Sequence, residues 1–223
     1  MLLKSIGDII NYDLKLYARK GGELTTIVGF FAISLLLFPF ALGANNPNTA
    51  TYAPAFIWIV ALLASLTSLP AIFHRDQADG ALDQLRLSGV ALEWCVLAKC
   101  IANWVGCLMP LILLTPVLSL MLGMDGERAS RVMVSLLVGT PILSCIGAAG
   151  SALTLHARNK SGVLAVIILP LYIPVLIFAA IFAMSDPKIN AFDSSEYWML
   201  AGMAIGAVPL CGWVSAAIIR MQD

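Results

Sequence analysis

Six long stretches of this sequence contain no charged residue at all. The first of them, Leu24 to Leu42, is 19 residues long. Because a helix needs about 20 apolar residues to cross about 30 Å of hydrocarbon, a stretch of this kind predicts a membrane span. The six predicted spans cover residues 24–42, 52–73, 100–123, 132–155, 161–184 and 199–219. The chain is therefore expected to be an all-α integral membrane protein with six transmembrane helices.

Composition supports a single membrane domain, 1–223, with no separate soluble domain. Of the 223 residues, 60% are hydrophobic and 12% are charged, which is more apolar surface than one soluble core can bury. The formal net charge is zero, so no long-range attraction to nucleic acid is expected. The five cysteines include no C-x-x-C pair and are expected to be free, buried thiols rather than a disulfide scaffold or a metal site.

The first 23 residues predict an amphipathic helix at the membrane surface. Apolar side chains recur at helical spacing from Ile6 to Tyr17, and basic residues surround them. This pattern is typical of an interfacial helix on an anionic leaflet. The distribution of basic residues predicts the orientation of the chain in the membrane. Ten of them lie on the side of the membrane that holds the N-terminus, and three lie on the opposite side. The positive-inside rule therefore predicts that both chain termini face the cytoplasm.

The longest charged break between spans is Phe73 to Gly89, on the predicted cytoplasmic side. As one continuous helix it would be amphipathic, with an apolar stripe opposite an acidic face. The stripe contains Ala78, Ala81, Leu82 and Leu85, and the acidic face contains Asp76, Asp79 and Asp83. Three carboxylates at the centre of a bilayer would cost on the order of 9 kcal/mol, so the segment is expected outside the hydrocarbon. An acidic face is repelled by an anionic leaflet and favours a protein partner.

Catalytic motifs are incomplete or missing. Asp76, Asp79 and Gly80 match the start of the metal motif of CDP-alcohol transferases, but Leu97 and Ile101 replace its second pair of carboxylates. A divalent metal shell could not close around what remains. The sequence has no P-loop motif, so ATP would be hydrolysed by another chain. The two histidines, His74 and His156, are isolated, and no resident metal or cofactor is predicted.

The charged segment resembles the CcmB family, the membrane subunit of the cytochrome c maturation haem exporter. The run FHRDQADGALDQL fits the family pattern F-x-x-D-x-x-D-G-[SA]-L, and the likeness extends to FPFALG near 38–43 and LPLYIPVLIFA at 169–179. The residues that match the pattern are Phe73, Asp76, Asp79, Gly80 and Leu82. More loosely, the segment with a following Glu93 and Lys99 is similar to the cytoplasmic segment of ABC-2 type permeases, which contacts the ATPase.

The resemblance implies a six-helix, ABC-2-like permease of the bacterial inner membrane, with haem as the substrate of the complex rather than a bound cofactor. Its implied partners are CcmA-type ATPase subunits, a second copy of the chain, a haem-handling CcmC-type subunit and a small CcmD-type subunit. Segment 74–93 would couple to the ATPase through Phe73, Asp76, Asp79, Gly80, Leu82, Asp83, Leu85 and Glu93. Two alternatives stay open: an ABC-2 permease for a lipid or polysaccharide, and a structural assembly subunit that does not transport.

Overall fold

The computed structural model describes residues 2–19, 22–43, 48–82, 90–155, 160–186 and 190–221, and regular structure in these residues is helical throughout. The helices are α1 (Leu2–Arg19), α2 (Gly22–Leu42), α3 (Asn48–Ser68), α4 (Pro70–Ala78), α5 (Leu92–Asn103), α6 (Met109–Met121), α7 (Gly126–Leu153), α8 (Lys160–Met184) and α9 (Ser195–Met221). A π-helical turn, Trp104–Leu108, joins α5 to α6, and a 3-10 turn, Ala191–Asp193, precedes α9.

Six helical segments are long and apolar enough to cross a membrane, which confirms the predicted spans. They are Leu24–Leu42, Thr49–Ala78, Leu92–Met121, Gly126–Leu153, Gly162–Met184 and Ser195–Met221. The third segment begins eight residues before the predicted start at 100. Its first turns carry Glu93 and Lys99, and both side chains have ionic partners within the protein. A paired charge on a helix surrounded by protein need not end a span.

Helix α7 occupies the centre of the bundle and packs against α3, α4, α5, α6, α8 and α9. Glycine at three positions of α7 lets its neighbours approach closely. A Cβ atom at Gly139 would collide with the Trp58 ring, one at Gly147 with Leu69, and one at Gly150 with the Ile168 side chain. Small residues of this kind allow tight van der Waals contact between membrane helices.

Several buried polar groups in the spans form hydrogen bonds between helices, which a low-dielectric surrounding favours. The Trp58 indole of α3 donates to Ser135 Oγ at 2.6 Å, and the Ser135 hydroxyl donates to the Ala179 carbonyl of α8 at 2.9 Å. The Tyr172 hydroxyl of α8 donates to the Leu143 carbonyl at 2.7 Å. These bonds tie α3 and α8 to the central helix.

Helix α1 runs parallel to α5 and packs along it. Asp13 contacts Lys99, and four residues further along both helices Tyr17 contacts Asn103, so the two helices stay in register. Gly106, in the π-helical turn, leaves room for the Tyr17 ring, because a Cβ atom at Gly106 would lie only 2.8 Å from it. The predicted N-terminal helix therefore exists and docks on span three. Its contact with a lipid leaflet stays a prediction.

Candidate functional site

The predicted coupling segment begins as a continuation of span two. Pro70 starts α4, where its fixed φ suits the first turn of a helix. Phe73 and Leu82 point into the protein, and the Leu82 side chain is 4% exposed. Asp79 lies on the surface just after the end of α4. The described part of the segment is thus anchored by two apolar side chains and presents Asp79 outward.

The expectation of one continuous helix from 73 to 89 is wrong. Helix α4 ends at Ala78, and the next residues form a turn in which Asp79 N–H donates to the Arg75 carbonyl at 2.9 Å. Gly80 has φ +71°, in the left-handed region that glycine adopts without strain, and there the chain changes direction. The predicted stripe and acidic face therefore do not share one helix. Asp83 and Leu85 lie outside the described residues.

Asp76 does not lie on an outer acidic face with Asp79. It is buried and forms an ion pair with Lys99 Nζ of α5. Lys99 Nζ also donates to both carboxylate oxygens of Asp13 on α1, at 3.0 and 3.3 Å. The exposed fractions of the Lys99, Asp13 and Asp76 side chains are 5%, 10% and 9%. These three residues, called the Lys99 cluster below, connect α1, α4 and α5.

In the Lys99 cluster, the burial of each charged side chain depends on the opposite charge beside it. A buried ion is tolerated only where an opposite charge and hydrogen bonds replace the water that it has lost. The Lys99 ammonium contacts both carboxylates, so each carboxylate has an opposite charge beside it. The two carboxylates repel each other, and the ammonium between them offsets this repulsion. The Lys99 nitrogen thus links α1 and α4 to α5 through its two carboxylate partners.

A chain of hydrogen bonds extends the site from α1 into the bundle. Burial raises the pKa of the Tyr17 hydroxyl well above its usual range, so this group stays protonated and can donate to Asn103 Oδ1 at 3.4 Å. Asn103 Nδ2 donates to Ser144 Oγ of α7 at 3.2 Å, and the Ser144 hydroxyl donates to the Cys100 carbonyl at 2.8 Å. The Arg75 guanidinium lies 5.6 Å from the centre of the Tyr17 ring. Movement of α1 would thus disturb both α4 and α7.

Comparison with known proteins identifies the family of this membrane chain. The profile of the family described as CcmB protein matches residues 4–222. The chain belongs to the CcmB family. Relatives named Heme exporter protein B occur in Pseudomonas aeruginosa (42% identity over 94% of this chain and 94% of the relative), Haemophilus influenzae (36%, 96% and 97%) and Escherichia coli K12 (35%, 96% and 97%). The resemblance of the charged segment to CcmB proteins is confirmed by matches over almost the whole chain.

In this CcmB protein, Glu93 joins the start of span three to the end of span six. Its carboxylate accepts a hydrogen bond from the Arg220 guanidinium of α9 at 2.8 Å, and both side chains are partly exposed. A Cβ atom at Gly212 would lie 3.5 Å from the Glu93 carbonyl, so α9 passes close to α5 here. The predicted site residue Glu93 therefore contacts the C-terminal helix α9.

The pairing of Asp13 with Lys99 in this CcmB protein was not predicted from the sequence. Asp13 lies 86 residues from Lys99, and no local spacing relates the two. An acidic residue among basic ones on α1 and a lysine next to a span were the available signals. Of the two histidines, His74 contacts Thr154 Oγ1 at 3.4 Å, while His156 lies outside the described residues.

The cysteines are free and buried, as predicted, but three of them meet in space. The sulfur atoms of Cys100, Cys145 and Cys211, on α5, α7 and α9, all lie within 4.8 Å of one another. Helix packing brings together positions that lie 45 and 66 residues apart, so no close spacing along the chain marks this group. Three thiols at this distance are chemically able to bind a soft metal ion.

Proposed function

We propose that this chain is the membrane subunit of an ATP-driven complex for haem export in cytochrome c maturation. It would couple ATP hydrolysis by a separate CcmA-type ATPase to haem delivery, or to release of a haem-loaded chaperone, on the periplasmic side. The name Heme exporter protein B of its relatives supports the haem assignment. The observation that carries the coupling proposal is the Lys99 cluster, which lies directly behind the exposed Asp79.

The coupling follows from the geometry of the charges. A partner that binds at Asp79 and pushes on α4 would move Asp76, three residues earlier on the same short helix. Asp76 cannot leave Lys99 without losing the cation that compensates its own buried charge, so α5, and α1 through Asp13, would move with α4. Helix α5 in turn packs on α7 and α9. A local movement at the surface would therefore reach the centre of the bundle.

The proposed setting is the bacterial inner membrane, with both termini in the cytoplasm. The chain itself would be non-catalytic and would work with a second copy, CcmA-type ATPase subunits, and CcmC-type and CcmD-type subunits. Haem would be a substrate of the assembly rather than a cofactor of this chain. A lipid or polysaccharide permease would have the same bundle, and an assembly subunit without transport would have no need of the ATPase contact.

Asp79→Ala is expected to weaken association with the ATPase subunit about 10- to 100-fold, because a charge-assisted hydrogen bond contributes about 1.5 to 3 kcal/mol. The measurement is the affinity of the purified ATPase for the complex in lipid nanodiscs, together with the amount of mature cytochrome c in cells. Asp8→Ala is the matched control, since Asp8 is an exposed acid on α1. Equal affinities for Asp79→Ala and wild type would contradict the proposed contact.

Reporter fusions test the proposed orientation. A fusion after Gln222 is expected to be active only with a cytoplasmic reporter, because ten basic residues lie on that side and three on the other. A fusion at Asp193, in the turn before α9, is expected to be active only with a periplasmic reporter. A periplasmic signal from Gln222 would be incompatible with cytoplasmic termini.

A further inference from the structure

The group of Cys100, Cys145 and Cys211 lies where three membrane helices meet, and it is separate from the Lys99 cluster. Cys100 Sγ lies 3.6 Å from Cys211 Sγ, and all three sulfurs fall within 4.8 Å. The Cys211 thiol donates to the Cys145 carbonyl at 2.7 Å, and Ser215 Oγ lies 3.8 Å from the same sulfur. All three cysteines are buried. Each helix contributes one sulfur to a common centre.

An apolar cavity of about 350 Å³ opens beside this centre. Cys100 and Cys145 belong to its lining, together with Trp94, Trp104 and Pro141. Two of the three cysteines of the group thus line a cavity directly beside it.

We propose that Cys100, Cys145 and Cys211 form a binding site for a soft monovalent metal ion, copper(I). Sulfur ligands bind soft metal ions such as copper(I), and this group offers three sulfurs. Three sulfurs around a metal at about 2.3 Å would lie about 4.0 Å apart in a plane, so the observed group needs only small side-chain rotations to close. In the described part of the chain, no carboxylate or imidazole joins the three sulfurs.

The ligand set also favours copper(I) over zinc. A structural zinc site has four ligands in a tetrahedron, whereas this group supplies three sulfurs and a hydroxyl beside only one of them. Three sulfurs from three helices suit a cation of low coordination number.

Binding at this site exchanges protons for the metal without any oxidation or reduction. Each thiol that becomes a thiolate ligand releases one proton, and copper stays in the +1 state throughout. The Cys211 proton that now bonds to the Cys145 carbonyl is one of those available for release. The Ser215 hydroxyl is placed to donate to the resulting thiolate. The affinity for copper(I) is therefore expected to rise with pH.

The test is a copper(I) titration of the full-length chain in lipid nanodiscs, without oxygen and with ascorbate, against the chromogenic chelator bicinchoninate. Wild type is expected to bind one copper(I) per chain. Cys145→Ser and Cys211→Ser are each expected to lower the affinity more than about 100-fold, since loss of even an outer-shell partner costs about 10- to 100-fold. Cys95→Ser and Cys107→Ser are matched controls, because both replace a buried cysteine outside the group. Both controls should bind like wild type.

A measurement on wild type alone keeps the test independent of how well the variants fold. X-ray absorption of the copper-loaded chain is expected to show copper(I) with sulfur neighbours only. Four results would overturn the proposal: no binding by wild type, nitrogen or oxygen ligands, zinc bound as tightly as copper(I), or unchanged affinity in both Cys145→Ser and Cys211→Ser.

Discussion

Lys99→Met is expected to lower the free energy of unfolding by about 3 to 5 kcal/mol, the usual cost of removing one partner from a buried ion pair. The substitution leaves Asp13 and Asp76 facing each other in a site where their side chains are at most 10% exposed. Methionine has nearly the length of lysine, so the change removes the charge while filling the space. Loss of the charge separates α1 and α4 from α5, and cytochrome c maturation should fall with it.

Chemical denaturation in mixed micelles, followed by circular dichroism, measures this effect. Lys15→Met is the matched control, because Lys15 is an exposed lysine on α1. Adding Asp13→Asn and Asp76→Asn to Lys99→Met removes all three charges and should restore most of the lost stability, since a neutral replacement of a buried ion network is often tolerated. If Lys99→Met were as stable as Lys15→Met, the Lys99 cluster would not hold the helices together.

Leu82→Asp is expected to uncouple ATP hydrolysis from cytochrome c maturation while the ATPase subunit stays bound. Leu82 is 4% exposed in the described part of the segment, and an aspartate there would be buried without a partner. A buried carboxylate without a charge partner costs about 3 to 5 kcal/mol, enough to expel the side chain and release the segment from the bundle. Asp79 on the surface would keep its proposed contact with the ATPase.

Two activities measured on the same membranes separate this result from simple loss of the protein. The ATP hydrolysis rate of the assembled complex should stay within about twofold of wild type, whereas mature cytochrome c should fall more than about tenfold, the effect of about 1.4 kcal/mol. Ala78→Asp is the control, since it places the same carboxylate on an exposed position at the end of α4. Equal maturation in the two variants would argue against Leu82 as the anchor.

The helical class and the spans were readable from the sequence because membrane insertion depends on local composition. A charge-free run of about 20 residues must be a helix in hydrocarbon, whatever its neighbours are. Span boundaries were less accurate where a charge found a partner, as at the start of α5 with Glu93 and Lys99. The predicted third span began just after Lys99. In the structure Lys99 lies within helix α5, and Asp13 of α1 compensates its charge there.

In the proposed coupling segment, the local sequence pattern did not predict which side chains are buried. The F-x-x-D-x-x-D-G-[SA]-L pattern indicated the CcmB family, which is confirmed, and its glycine has a positive φ just after the end of α4. A helical wheel placed Asp76 with Asp79 because it assumed one uninterrupted helix with a free polar side. In the structure Asp76 faces Lys99 and Asp79 faces outward. Spacing on a helix states which residues share a face, but not which face meets another helix.

By itself, the sequence determined the six spans, the amphipathic first helix and the place of the charged break, since each depends on residues close together in the chain. Only the tertiary structure decided the Lys99 cluster and the group of Cys100, Cys145 and Cys211. Their members lie on different helices, tens of residues apart, and the packing of these helices depends on small residues of the central one, such as Gly147. In a bilayer, helix composition determines insertion, while side-chain fit determines which helices meet.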